Sequence, residues 1–252
     1  MLRHFIPRND GRVCAFTLAE VLITLVIIGV VAALTIPNLM QKYTEQTTVK
    51  KVQKFYSNLS NAYSLAMKEN GPISEWGITG QNTESAEKIY ELLFKPNFKI
   101  AKNCGTSNTG NCIKHVYHRD LSNAIWADYT ANYGGGLYYY KVILNDGAAI
   151  WWSGYIDDTS GDIKKLVLVF YDINGSKEPN TFGKDTFRFD ILDNKVYPLG
   201  APSYNGKDAF RINCRKAASG GIRCAAWVIY KGNMDYLHCD GLDWNKNSCK
   251  DK

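Results

Sequence analysis

The chain has none of the short motifs that mark common enzyme chemistry. There is no Gly-x-Ser-x-Gly elbow, no phosphate-binding loop, no His-Glu-x-x-His and no dinucleotide fingerprint. Serine hydrolases, nucleotide-driven enzymes, zinc peptidases and nicotinamide-dependent enzymes in their usual forms are set aside. Gly134-Gly135-Gly136 is a turn without the rest of any such motif. A block of like charge is missing too. The formal charge of +6 comes from 30 Lys and Arg against 24 Asp and Glu, spread along 252 residues. That distribution serves solubility before it serves nucleic-acid binding. No internal repeat or low-complexity linker appears, which excludes a repeat array. Apolar residues reach 45% and aromatics 13%, enough for a sizeable core rich in β-structure.

One stretch lacks charge almost completely. From Phe16 to Ile36, FTLAEVLITLVIIGVVAALTI, the only ionisable residue is Glu20. At 1.5 Å per residue such a helix is roughly 31 Å long, about the thickness of a bilayer's hydrocarbon core. Residues 1–15 ahead of it form a basic leader with Arg3, Arg8 and Arg12 against Asp10. An ordinary signal peptide cut after Val31-Ala32-Ala33 is the competing reading. It is disfavoured by the length of the run, by the carboxylate near its start and by the helical pattern that continues past the cut. Three Arg before the run and Lys42, Lys50, Lys51 and Lys54 after it leave the orientation undecided by the positive-inside rule.

The cysteines give the orientation instead. Removing the leader removes Cys14 and leaves Cys104, Cys112, Cys214, Cys224, Cys239 and Cys249 as disulfide candidates. They fall into close sequential pairs, although six cysteines allow several connectivities. An even count at such spacings indicates an oxidising compartment, so the large domain lies outside the cytoplasm.

Between leader and apolar run stands Cys14-Ala15-Phe16-Thr17-Leu18-Ala19-Glu20. A small residue, then Phe-Thr-Leu-x-Glu, then an apolar helix carrying Gly29 and followed by Pro37, resembles the processing site of type IV prepilins and type II secretion pseudopilins. The resemblance is specific over about residues 12–40. Farther on, Asp172–Asp185 and Cys224–Cys239 look like segments of prepilin-type or type II secretion proteins. The resemblance implies cleavage by a prepilin peptidase on the cytoplasmic side, between Ala15 and Phe16, and methylation of the new Phe16 amine. It implies a single pass through the inner (cytoplasmic) membrane, and then recruitment by an inner-membrane assembly platform into a periplasmic or cell-surface filament of identical or related subunits. Ala15 stands where the family usually has Gly. Glu20 carries an assembly role on physical grounds as well. A carboxylate at bilayer depth costs roughly 2.5–3.5 kcal/mol unless paired, and the Phe16 ammonium of the same or a neighbouring chain is a suitable partner.

Past Pro37 the helical pattern continues over residues 37–71. Val52, Phe55, Leu59, Ala62, Tyr63 and Ala66 form one stripe of an amphipathic helix, and Asn70-Gly71-Pro72 stops it. A helix of roughly 50 residues is expected, kinked at Pro37. Residues 72–252 read as a β-rich globular domain, so the fold class is α+β: a long helix, membrane-spanning in its first half, packed on a mainly antiparallel sheet. Ser85 is the expected N-cap of a short helix. Residues 137–144 and 148–152 read as a hairpin around Asp146-Gly147, residues 165–171 as a central strand and residues 187–191 as a half-buried strand. Residues 225–230 and 234–236 read as a last hairpin. Tyr138–Tyr140 and Trp151–Trp152 are read as core before they are read as a stacking surface for sugars or bases.

The segment Asp172–Asp185 is the most chemical part of the domain. Asp172, Asn174, Glu178, Asn180 and Asp185 offer oxygens on a loop shaped by Gly and Pro between two strands. Calcium wants six to eight oxygens held in this way, and related pseudopilins use calcium in an outer-domain loop. The spacing is not that of an EF-hand, and a strand connection rich in Asx-turns is the plainer reading. His115 and His118 after Cys104 and Cys112 fit no zinc-finger spacing. Three functions are carried forward: a non-enzymatic structural subunit of a pilus-like or secretion filament; a tip subunit binding a glycan, a surface or nucleic acid; and a membrane-anchored or secreted enzyme without a recognisable motif.

Overall fold

The computed structural model describes residues 17–106, 118–127, 138–158, 163–175, 177–215 and 220–250. The chain divides into two compact units between Thr44 and Glu45. Helix α1, Leu18–Asn70, is continuous over 53 residues and contains Pro37. In the first unit its large apolar side chains, from Leu18 and Val21 to Ile36, are exposed. This part is long and apolar enough to cross a membrane.

In the second unit α1 turns amphipathic. Thr48, Val49, Val52, Phe55, Leu59, Ala62, Tyr63 and Ala66 are buried along one stripe, at the spacing of 3 and 4 that keeps residues on one helical face. The helix ends at Asn70 because Gly71 turns into the left-handed region at φ +75° and Pro72 supplies no amide hydrogen. A 3-10 turn (Ile73–Glu75), helix α2 (Thr83–Ile89), a π turn (Tyr90–Phe94) and the single turn α3 (Lys95–Asn97) lead into the sheet.

Six strands form that sheet: β1 (Ile100–Gly105), β4 (Tyr140–Leu144), β5 (Ala149–Asp157), β6 (Lys164–Asp172), β7 (Thr186–Leu192) and β8 (Lys195–Pro198). They lie in that order, every neighbouring pair antiparallel. Strands β2 (His118–Arg119) and β3 (Ile125–Ala127) make a separate ribbon. The inner face packs on α1. Phe55 stacks on Tyr171 with ring centroids 4.0 Å apart and tilts against Phe189 at 5.4 Å. Trp152 Nε1 donates to the Ala86 carbonyl at 2.9 Å and ties α2 to the sheet. Tyr139, Trp151, Leu168, Phe170 and Phe182 form a second cluster on the outer face. Tyr139, Tyr140, Trp151 and Trp152 are thus core, with Tyr138 half-buried. The C-terminal part adds α4 (Pro202–Asn205), α5 (Asp208–Asn213), α6 (Ala225–Lys231) and a 3-10 turn (Asp235–Leu237).

The α+β architecture, the Asp146-Gly147 hairpin and the strands over 165–171 and 187–191 agree with the sequence-based expectation, except that the 187–191 strand is buried on both faces and not half-buried, with Asp190 paired to Arg188 at 2.8 Å. Two further local expectations are corrected. The last hairpin is absent: residues 225–231 are helix α6, and residues 235–237 are the 3-10 turn. Ala225, Ala226, Trp227 and Val228 are all buried in succession, which is not the alternation of a half-buried strand. Gly232 at φ +68° closes the helix, its N–H donating to the Val228 carbonyl at 3.2 Å. The N-cap of α2 is Asn82, whose Oδ1 accepts the Ser85 N–H at 2.8 Å. Ser85 lies inside the helix, and its Oγ accepts the Thr79 N–H at 3.1 Å. Strands β1 and β8 have no counterpart in the sequence-based expectation.

Candidate functional site

Two places hold the residues singled out in the sequence. The first is the start of α1. Thr17 donates to Glu20 Oε2 twice, from its N–H and from its hydroxyl, both at 2.9 Å, and the Glu20 N–H donates back to Thr17 Oγ1 at 3.2 Å. This is a capping box: Thr at the N-cap and Glu three residues on satisfy amide donors that the helix itself leaves open. Ala15 and Phe16 lie outside the described residues, as does Cys14. The box fixes the carboxylate at the first turn, four residues after Phe16. The Thr-x-x-Glu pattern is the sequence signal for this capping role, which a reading of Glu20 by charge alone passes over.

The second place is the β6–β7 loop. Asp172 ends β6 in register with Thr186 at the start of β7. Asp172 and Asp185 are both buried. Asp172 Oδ1 accepts the Asn174 N–H at 3.0 Å, and Thr186 Oγ1 stands 3.4 Å from its Oδ2. Asp185 accepts the Asn180 N–H at 2.8 Å and the Thr181 N–H at 2.6 Å. The Asn174 side chain also hydrogen-bonds to Asp185. Burial, reinforced by the charge of Asp185, pushes the Asp172 carboxyl up to about 8. Burial raises Asp185 as well, against the lowering effect of its amide donors.

Two carbonyl oxygens stand out here. Asn174 Oδ1 and Asn180 Oδ1 are both buried without a hydrogen-bond donor, and Asn180 as a whole is only 4% exposed. Buried acceptors are nearly always satisfied. Among the described residues no group of three or more carboxylates, imidazoles or thiols gathers as a metal site. The donor set at this loop is two carboxylates and two amide oxygens, all hard ligands that suit calcium. Glu178 is different: its side chain is exposed, and only its backbone carbonyl approaches, 3.4 Å from Asn174 Nδ2. His118 is buried between the rings of Trp151 and Phe182, at 5.0 and 5.2 Å. His115 lies outside the described residues.

Cys214 is bonded to Cys224 and Cys239 to Cys249. Cys104 is disulfide-bonded, and Cys112 lies outside the described residues. Bridges of this kind hold in oxidising surroundings.

The prokaryotic N-terminal methylation motif matches residues 11–36, a span that takes in the candidate cut, Glu20 and the apolar run. This motif, with a long apolar helix packed at its far end on an antiparallel sheet, makes the chain similar to type IV pilin and pseudopilin precursors, and its α+β architecture is consistent with a pilin-like fold. Residues 38–196, more than half of the chain, match a family of unknown function, DUF6613, and the chain belongs to that family. No curated protein and no solved structure matches it significantly. Proteins with the methylation motif are generally structural, assemble with other pilin subunits and are processed by prepilin peptidase. Motif and apolar helix together fit membrane anchoring followed by assembly.

Proposed function

We propose that this protein is a filament subunit, cut between Ala15 and Phe16 and methylated on the Phe16 amine. Residues 16–36 hold it in the cytoplasmic membrane with the outer domain on the far side, until its helix is drawn into a pilus-like or secretion filament. The observation that carries this reading is the methylation motif running straight into a capped helix whose apolar run, residues 16–36, has Glu20 as its sole ionisable residue. In a bundle of such helices Glu20 pairs with the Phe16 ammonium of a neighbour, which offsets the cost of a carboxylate in the membrane and fixes the stagger between subunits. Glu20→Ala then leaves the protein in the membrane fraction but removes it from sheared filaments. Normal incorporation of this variant contradicts the pairing role.

A second reading concerns the outer domain: the β6–β7 loop holds a structural calcium ion. Support comes from the buried Asn174 and Asn180 oxygens, which lack donors, beside two buried carboxylates. An ion there would take Asp172, Asp185, Asn174 and Asn180 as ligands, with backbone carbonyl and water oxygens completing the shell. Its contribution is to let both buried carboxylates ionise side by side, which burial and their mutual repulsion otherwise oppose. Calcium titrated into the purified chain in detergent should raise the melting temperature of the outer domain, because an ion that binds only the folded state stabilises it by mass action. An unchanged melting temperature at millimolar calcium refutes the site.

A further inference from the structure

The β6–β7 loop does more than join two strands. Its Asn180–Gly183 arm is bonded at one end to the Asp185 carboxylate and at the other to the C-terminal part of the domain. At the first end, the Asn180 and Thr181 amides donate to Asp185. At the second, the Gly183 carbonyl accepts the hydroxyl of Tyr236 at 2.7 Å, a residue buried completely and 53 positions away in sequence. Packing here leaves no slack. A Cβ on Gly183 would stand 2.9 Å from Cys224 Sγ and 3.1 Å from the Gly221 carbonyl. A Cβ on Gly221 would stand 2.1 Å from the Phe182 carbonyl. Cys224 is bridged to Cys214 and immediately precedes α6. The same arm also holds the β2 ribbon: the Arg119 N–H donates to the Asn180 carbonyl at 2.9 Å, and the Phe182 N–H donates to the Arg119 carbonyl at 3.0 Å.

We propose that calcium loading of the Asp172–Asp185 loop and docking of the C-terminal segment Gly220–Cys239 are one coupled equilibrium, so that calcium outside the cytoplasm sets how firmly that segment is held. The proposal rests on the calcium reading above. An ion bound by Asn180 and Asp185 fixes the backbone of the arm, and with it the Gly183 carbonyl that receives Tyr236 and the Phe182–Gly183 surface that receives the Gly221 turn. Without the ion, the Asn180 and Thr181 amides hold the arm to Asp185, and Thr186 Oγ1 stands 3.4 Å from both carboxylates. Coupling of this kind is reciprocal: whatever factor calcium adds to docking, docking adds to calcium affinity.

Hydrogen exchange followed by mass spectrometry on the full chain in detergent, with calcium chloride or with a chelator, tests this. Calcium is expected to slow exchange at residues 173–186 and also, by about threefold or more, at residues 220–239. Tyr236→Phe removes the hydroxyl that reaches Gly183, and it should weaken calcium binding in calorimetry by a similar factor. Tyr230→Phe, on a half-exposed ring of α6, should leave binding unchanged. If calcium binds and protects residues 173–186 while residues 220–239 exchange as before, the coupling is wrong and the calcium site stands. Equal affinity in Tyr236→Phe and the unaltered chain also overturns the coupling. No binding heat and no protection anywhere sinks the calcium reading, and the coupling with it.

Discussion

Gly183 shows how single residues hold the outer domain together. Its φ of +79° lies where side chains are strained, and its neighbours leave no room for one. Gly147, in the β4–β5 turn, has a similar φ of +84° but nothing within 4 Å of where a Cβ would sit. The pair separates backbone strain from packing. Gly147→Ala should cost about 1–2 kcal/mol, the conformational term alone. Gly183→Ala should cost clearly more, because the Cys224 sulfur and the Gly221 backbone must also give way. Denaturant unfolding of the two variants checks the order, and equal losses would show that the Gly183 contact carries no energy of its own. At the same scale the Thr17–Glu20 box gives Glu20 a local duty in addition to pairing. A cap of this kind contributes roughly 0.5–2 kcal/mol. Thr17→Ala is therefore the companion that separates loss of the cap from loss of the charge when Glu20→Ala is tested.

Among the elements, legibility follows the length and regularity of the apolar pattern. The second half of α1 is readable because its stripe repeats over several turns, and Asn70-Gly71-Pro72 ends it where the structure does. Strand β6 is readable from its continuous apolar run, and the β4–β5 hairpin from Asp146-Gly147. Helix α6 is not, since six apolar residues carry no decisive period and the disulfide and Gly232 that shape it act from outside the run. Strand β1 has exposed and half-buried residues without alternation and sits at the sheet edge, so no apolar signal marks it. The β6–β7 loop is recognisable as oxygen-rich, and its two aspartates do come together. Which oxygens lack donors, and that Tyr236 reaches Gly183 across 53 residues of sequence, are products of the tertiary fold and leave no trace in local spacing.

For the whole molecule, one helix serves two solvents. Its first half exposes large apolar side chains from Leu18 to Ile36, and its second half buries a stripe against a sheet. Exposed apolar surface on this scale is stable only in lipid or against other helices. The filament reading gives it both in turn, the membrane first and the bundle afterwards, with the disulfide-bonded outer domain carried outside the cytoplasm. All of this depends on where the mature chain begins. The most direct measurement is the mass of the N-terminal peptide of the protein isolated from membranes. The account predicts a peptide that starts at Phe16 and carries one added methyl group on its amine. A mature chain that starts at Leu34, or one that keeps its leader in filaments, would contradict it.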